Sequence, residues 1–162
     1  MKVPLRYLPK VLTKKDRKLQ SNMLKRSRRF YKKGIYYTRK KVPSFKSHIS
    51  PHILNARKIY GVDKINAGPL LAKKTGCSVK ALQRIVSKGK GAYFSSGSRP
   101  NQTADSWGVA RLASAITSGK AAAVDYSILE QGCKPGSRAL RLAKNAKKKY
   151  GTGHGSTRKT GI

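Results

Sequence analysis

Pro69-Leu-Leu-Ala-Lys-Lys-Thr-Gly-Cys-Ser-Val-Lys-Ala-Leu-Gln-Arg-Ile-Val-Ser87 reads as two short helices around one turn. Proline fits the first helical position, where its missing amide has no partner to lose, so a helix opens at Pro69 and runs through Lys74. Thr75-Gly76-Cys77 supplies the turn. A second helix covers Ser78 to Ser87. Ala72, Gly76, Leu82 and Ile85 hold the spacing of a helix-turn-helix: a small residue for close approach, a left-handed glycine, and two aliphatics that pin the second helix. In a DNA reader of this kind Ser78, Lys80, Ala81 and Arg84 would face the groove. The other reading is a packed helical hairpin. Both readings are helical, so the fold class is mainly α.

Downstream, Gly89 to Asn101 reads as a Gly/Ser-rich loop. Its amides, hydroxyls, Lys90 and Arg99 suit an anion, but the Gly-Lys-Ser/Thr ending of a nucleotide-binding loop is missing. The plainer reading is a turn in which Ser98 and Asn101 satisfy backbone groups. Thr103 opens a helix to about Thr117, with Trp107, Ala110, Leu112, Ala113 and Ile116 on its apolar face; this places Trp107 in the core, against the hairpin. Residues 121–130 fit either a strand or a helix. After the break at Lys134-Pro135-Gly136, Ser137 caps a last helix to about Tyr150, with Leu140, Leu142, Ala143 and Ala146 inward. The glycine-rich tail beyond it is flexible by composition.

Upstream, Pro4 and Pro9 extend residues 1–12. Thr13 and Asp16 resemble a capping box. Leu12, Leu19, Met23 and Phe30 then recur at near-helical spacing as far as Gly34, which ends the helix. Ile35 to Lys46 is basic and aromatic, interrupted by Pro43, and reads as an extended arm or edge strand. Ser50-Pro51 starts a helix whose apolar face is Ile53, Leu54, Ala56, Ile59 and Tyr60, and Gly61 ends it.

Charge sharpens this division. Lys plus Arg number 38 and Asp plus Glu number 5, for a net charge of +33. Residues 1–60 carry 19 Lys/Arg against one acid, residues 61–133 carry 10 against four, and residues 134–162 carry nine against none. The expected organisation is a basic N-terminal helix and arm (1–49), a small helical core (about 50–149) and a flexible basic tail (150–162). Self-repulsion at this charge calls for an acidic or polyanionic partner. Candidate contacts on the first helix are Arg17, Lys18, Lys25, Arg26, Arg28, Arg29, Lys32 and Lys33. Arg39, Lys40 and Lys41 follow on the arm, Lys80, Arg84, Lys90 and Arg99 in the core, and Lys147, Lys148 and Lys149 near the C-terminus. Tyr31, Tyr36, Tyr37 and Phe45 are interleaved with these charges and suit base stacking or a protein interface.

The same counts weigh against catalysis. The carboxylates are Asp16, Asp63, Asp105, Asp125 and Glu130, none close to another in sequence, so a paired-carboxylate site would use most of the supply. His48 and His52 stand four apart, but Pro51 lies between them and no Cys-x-x-Cys pair exists, so neither a metal nor another cofactor is expected. Cys77 and Cys133 read as two buried free thiols in a reducing compartment. Apolar runs reach about four residues, far short of the roughly 18 of a membrane span. The N-terminus has no apolar h-region, so secretion is not expected.

Two stretches carry a resemblance. One is Tyr31-Lys-Lys-Gly-Ile-Tyr-Tyr-Thr-Arg-Lys-Lys-Val-Pro-Ser-Phe-Lys-Ser-His48, leading to Asn55-Ala-Arg-Lys-Ile-Tyr60. The other is Gly89-Lys-Gly-Ala-Tyr-Phe-Ser-Ser-Gly-Ser-Arg-Pro-Asn-Gln-Thr103, leading to Ser106-Trp107, Ala110-Arg-Leu-Ala-Ser114 and Gly119-Lys-Ala-Ala-Ala-Val-Asp125. Over about residues 5–149 the chain resembles an uncharacterised family of basic proteins encoded by large double-stranded DNA viruses of algae and protists. The resemblance implies a viral origin and a place in the virion, with synthesis in the host cytoplasm or nucleus. It brings no catalytic residues. The expectation is a non-enzymatic minor capsid or cement protein that bridges other capsid proteins through basic arms and uses no small-molecule substrate. The alternative is a DNA-binding or genome-condensing protein of the viral core, with non-specific nucleic-acid contact.

Overall fold

Local chemistry sets the helix starts. The Asp16 amide donates to Thr13 Oγ1 at 3.2 Å and opens α1 (Lys14–Tyr31). The His52 amide donates to Ser50 Oγ, and Pro51 takes the first position of α2 (Pro51–Tyr60). Pro69 likewise opens α3 (Pro69–Thr75). Gly76, at φ +78°, makes the left-handed turn into α4 (Val79–Ser95). Thr103 and Ser106 exchange amide-to-hydroxyl bonds of 3.1 and 2.9 Å, a reciprocal cap on α5 (Ala104–Ala115). The stretch 121–130, open between strand and helix, falls within α6 (Lys120–Val124) and α7 (Tyr126–Gly132). Ser137 precedes α8 (Arg138–Tyr150), but its hydroxyl is buried without a hydrogen bond, so it holds the cap position and makes no cap bond. This computed structural model describes residues 1–155 and 157–162. The described residues are mainly α-helical, as expected, with one two-stranded sheet.

The chain divides into two compact units. One comprises Met1–His48, Lys90–Trp107 and Thr157–Ile162, the other Ile49–Gly89 and Gly108–Ser156. The central core therefore gives up residues 90–107 to the basic N-terminal region. The reason is in α4, which runs on through the expected loop to Ser95. A Cβ on Gly89 would sit 2.6 Å from Gly108 Cα. That glycine marks a close backbone approach, where sequence alone suggested the end of a helix.

The second unit holds the larger core. Leu71, Leu82, Ile85, Leu112, Ile116, Ile128, Leu129 and Leu140 fill it, with small residues such as Ala81, Ala113, Ala122, Ala139 and Ala143 between them. Alanine brings helix axes close at little side-chain entropy cost. Asp125 is fully buried here. It accepts from Arg111 Nε and a terminal nitrogen of the same guanidinium, and from Lys88 Nζ, each at 2.8 Å.

Cys77 and Cys133 form a disulfide, which overturns the reading of two free thiols. Ser78 N–H donates to Gly132 O and Lys134 N–H to Gly76 O. These flanking bonds set the α3–α4 turn against the end of α7 and place the sulfurs opposite each other. With 56 positions separating the cysteines, nothing local announced the pairing.

In the first unit the expected arms are laid down on other elements. Residues 35–50 carry no helix or strand, and a turn at Pro43–Ser44, closed by the Phe45 amide on Val42 O, interrupts the stretch expected as an arm or edge strand. It is nonetheless pinned: Val42 and Phe45 pack with Leu8, Leu12 and Met23. The tail expected to be flexible forms β2 (Lys159–Gly161), antiparallel to β1 (Lys2–Pro4), with Val3 opposite Thr160. Trp107 is half-buried against Val3, Tyr7 and Leu24, with its ring edge-on to Tyr7 at 5.9 Å. The expected hairpin contact is replaced by one with the N-terminal segment.

Candidate polyanion interface

The inward stripe of α1 is largely polar. Asp16, Gln20, Met23, Leu24 and Ser27 are buried, while Leu19, expected inside, is exposed. Each polar member has a partner. Asp16 accepts the Ser44 amide at 2.8 Å, Gln20 donates to Tyr7 O, and Ser27 donates to Phe94 O. The Ser44 side chain first, and then its amide, lowers the Asp16 carboxyl below its ordinary value. Apolar periodicity misses such a stripe, because its burial is sustained by hydrogen bonds.

The outward faces of α1 are then free to be cationic. Lys18, Lys25, Arg26, Arg29, Lys32 and Lys33 are all exposed. Arg17 and Arg28 are half-buried and partly engaged: Arg17 donates to Leu8 O at 3.0 Å, and Arg28 donates twice to Ser96 O, at 3.0 and 2.8 Å. Lys40 and Lys41 are exposed beyond them.

Arg39 is a correction. Expected as a partner contact, it is 7% exposed. It donates to Ser27 Oγ, Tyr93 O and Ser98 Oγ at 2.8–2.9 Å, and its guanidinium lies 3.8 Å from the Tyr93 ring centre. Burial lowers its pKa, with Tyr93 acting in the opposite sense. A cation–π contact and neutral oxygens thus hold this buried charge. Its neighbour Asn101 bonds to Val42 N, Val42 O and Phe45 O. Ser98 and Asn101 therefore satisfy polar groups of the 39–45 segment. Lys90 pairs with Asp105 at 3.0 Å, and Arg99 is exposed.

In the second unit, Lys147, Lys148 and Lys149 are exposed on α8, with Lys147 Nζ 4.3 Å from the Tyr126 ring centre. Lys80 and Arg84 are exposed beside a shallow cleft of about 230 Å³ between α4 and α7, shared with Ser78, Ile128 and Gln131. Ala81 is 4% exposed, and a side chain on Gly132 would collide with it. The face that a recognition helix would present to a groove is thus partly occupied by α7. Of the four positions that would face a groove, Ser78, Lys80 and Arg84 are exposed and Ala81 alone is covered.

A family model matches residues 4–151. The chain belongs to the DUF5824 family, a family of unknown function. No curated protein and no solved structure matches it. The DUF5824 match runs from the N-terminal segment through α8 and leaves residues 152–162 outside it. Among the described residues, no cluster of three or more His, Cys, Asp or Glu is placed to hold a metal. No helix among them is long and apolar enough to cross a membrane.

Proposed function

We propose that the protein is a non-enzymatic structural component of a large DNA virus particle, a minor capsid or cement protein whose basic faces hold acidic surfaces of neighbouring capsid proteins. One observation carries the binding part of the reading: cations dominate the exposed surface while the few acids are largely spent internally. Fifteen of the eighteen candidate contacts are exposed, all but Arg17, Arg28 and Arg39. Asp125, Asp16 and Asp105 already have partners within the chain. Surplus positive charge of this kind is neutralised from outside. The virion placement rests on the resemblance of the two long motifs. The mechanism differs from threading arms: the basic flanks dock as folded faces.

A genome-condensing role in the viral core is the second reading, supported by the exposed aromatic rings of the first unit, Tyr36 above all. Fractionation of purified particles separates the two. Recovery with the emptied shell supports the structural role; recovery with the genome supports the second.

A further inference from the structure

We infer that Tyr31, Tyr36 and Phe94 form a stacking platform for single-stranded nucleic acid. The inference goes beyond the capsid reading, because it does not depend on where the protein sits. The rings follow one another at a tilt, Tyr31 to Tyr36 at 6.1 Å and 48°, and Tyr36 to Phe94 at 5.1 Å and 46°, so each presents its face in a different direction. Tyr36 is 70% exposed and Tyr31 39%. The sequence grouped Tyr37 and Phe45 with them, yet both pack inward, Tyr37 edge-on to Phe30 at 5.8 Å and Phe45 against the Leu8 cluster. Phe94, hidden in what read as a loop, takes their place.

The platform is built in advance. The Arg39 amide donates to Tyr93 Oη at 2.9 Å, and its guanidinium donates to Tyr93 O and caps that ring. This staple fixes the chain just after Tyr36 against the end of α4 that carries Phe94. A ring already held in place loses little freedom when a base stacks on it.

Charge selects the occupant. The first unit holds 21 Lys/Arg against two acids, Asp16 and Asp105, and both acids are engaged. Lys32 and Lys33 are exposed in the short link between Tyr31 and Tyr36. The occupant must therefore be anionic and must also use flat ring faces. A single strand offers both, phosphates for the lysines and unstacked bases for the rings. A duplex keeps its bases stacked on one another, and an acidic peptide supplies carboxylates without planar groups to match.

The test uses the full chain with a fluorescent oligo-dT of about 12 nucleotides, within the range of roughly 4–16 that single-strand-binding modules cover, and a duplex of equal length. Tyr36→Leu removes an exposed ring and no charge, so the fold and the salt slope should stay unchanged. Oligo-dT affinity should fall at least about fivefold, the low end for one stacked base, with duplex affinity unmoved. Lys147→Ala with Lys148→Ala should weaken both ligands alike. Equal affinity of wild type and Tyr36→Leu for oligo-dT would overturn the inference. So would a matching loss for poly-glutamate, which would assign the rings to an acidic protein segment. Either result leaves the capsid reading to its own fractionation test.

Discussion

Asp125 and Arg39 are opposite solutions to burying a charge. Burial alone would raise the Asp125 carboxyl, but hydrogen bonds and charge from Arg111 and Lys88 outweigh it, and its pKa lies below the ordinary 3.8. A depressed carboxyl contributes stability above its unfolded pKa and loses it as pH falls through the folded value. The second unit should therefore keep its full stability down to about pH 4 and weaken below that. Thermal melts from pH 6 to pH 2 check this. Asp125→Asn should cost about 2–4 kcal/mol at neutral pH and flatten the acid limb; Lys88 and Arg111 both reach water, which tempers the usual penalty for breaking a buried pair. Arg39 has no acid among its hydrogen-bond acceptors. Its charge identified it as a surface contact in the sequence, since nothing local tells a solvated arginine from one closed over by Tyr93.

At the scale of elements, the ends of the chain and the disulfide matter most. Their few apolar residues predict that residues 1–45 and 151–162 are loose in the free protein. With β1 paired to β2, Leu5 N–H donating to Arg158 O and Ile162 N–H to Met1 O, these ends instead share hydrogen bonds. Hydrogen exchange on the monomer should show protection in α1 and at Val42, whose amide donates to Asn101 at 2.7 Å. Deleting residues 157–162 should speed exchange at Leu5 while leaving the second unit unchanged. The Cys77–Cys133 link closes a loop of 56 positions, worth about 4 kcal/mol in the chain-entropy account. Reductant should lower the melting temperature of the second unit. Because the flanking backbone bonds persist without the link, the reduced protein should still fold.

For the whole molecule, net charge governs behaviour in solution. Polyanion binding should be non-specific and steep in salt. If about six phosphates are neutralised, the log–log slope is near −5 and affinity falls more than a hundredfold between 50 and 200 mM. Lys80→Ala with Arg84→Ala should weaken every sequence slightly and equally, because α7 occupies part of the would-be reading face. A random-sequence pool that yields one enriched motif, lost in the double mutant, would refute this.

The sequence by itself determined what depends on near neighbours in the chain. Thr13, Ser50, Pro51 and Pro69 mark helix starts because caps act within three residues. The hairpin at Gly76, the Leu82 and Ile85 core positions, and the basic outer face of α1 were legible for the same reason. What the sequence left open depends on partners far along the chain. Gly89 read as a break until Gly108 was opposite it. Gln20 and Ser27 belong to no apolar pattern, and their burial depends on the hydrogen bonds that Tyr7 O and Phe94 O accept from them. Cys77 met Cys133, Trp107 met Tyr7, and Phe94 left a supposed loop to join Tyr36. Long-range packing decided each of these, because burial of a polar group, a glycine or a ring is set by the atoms that close over it.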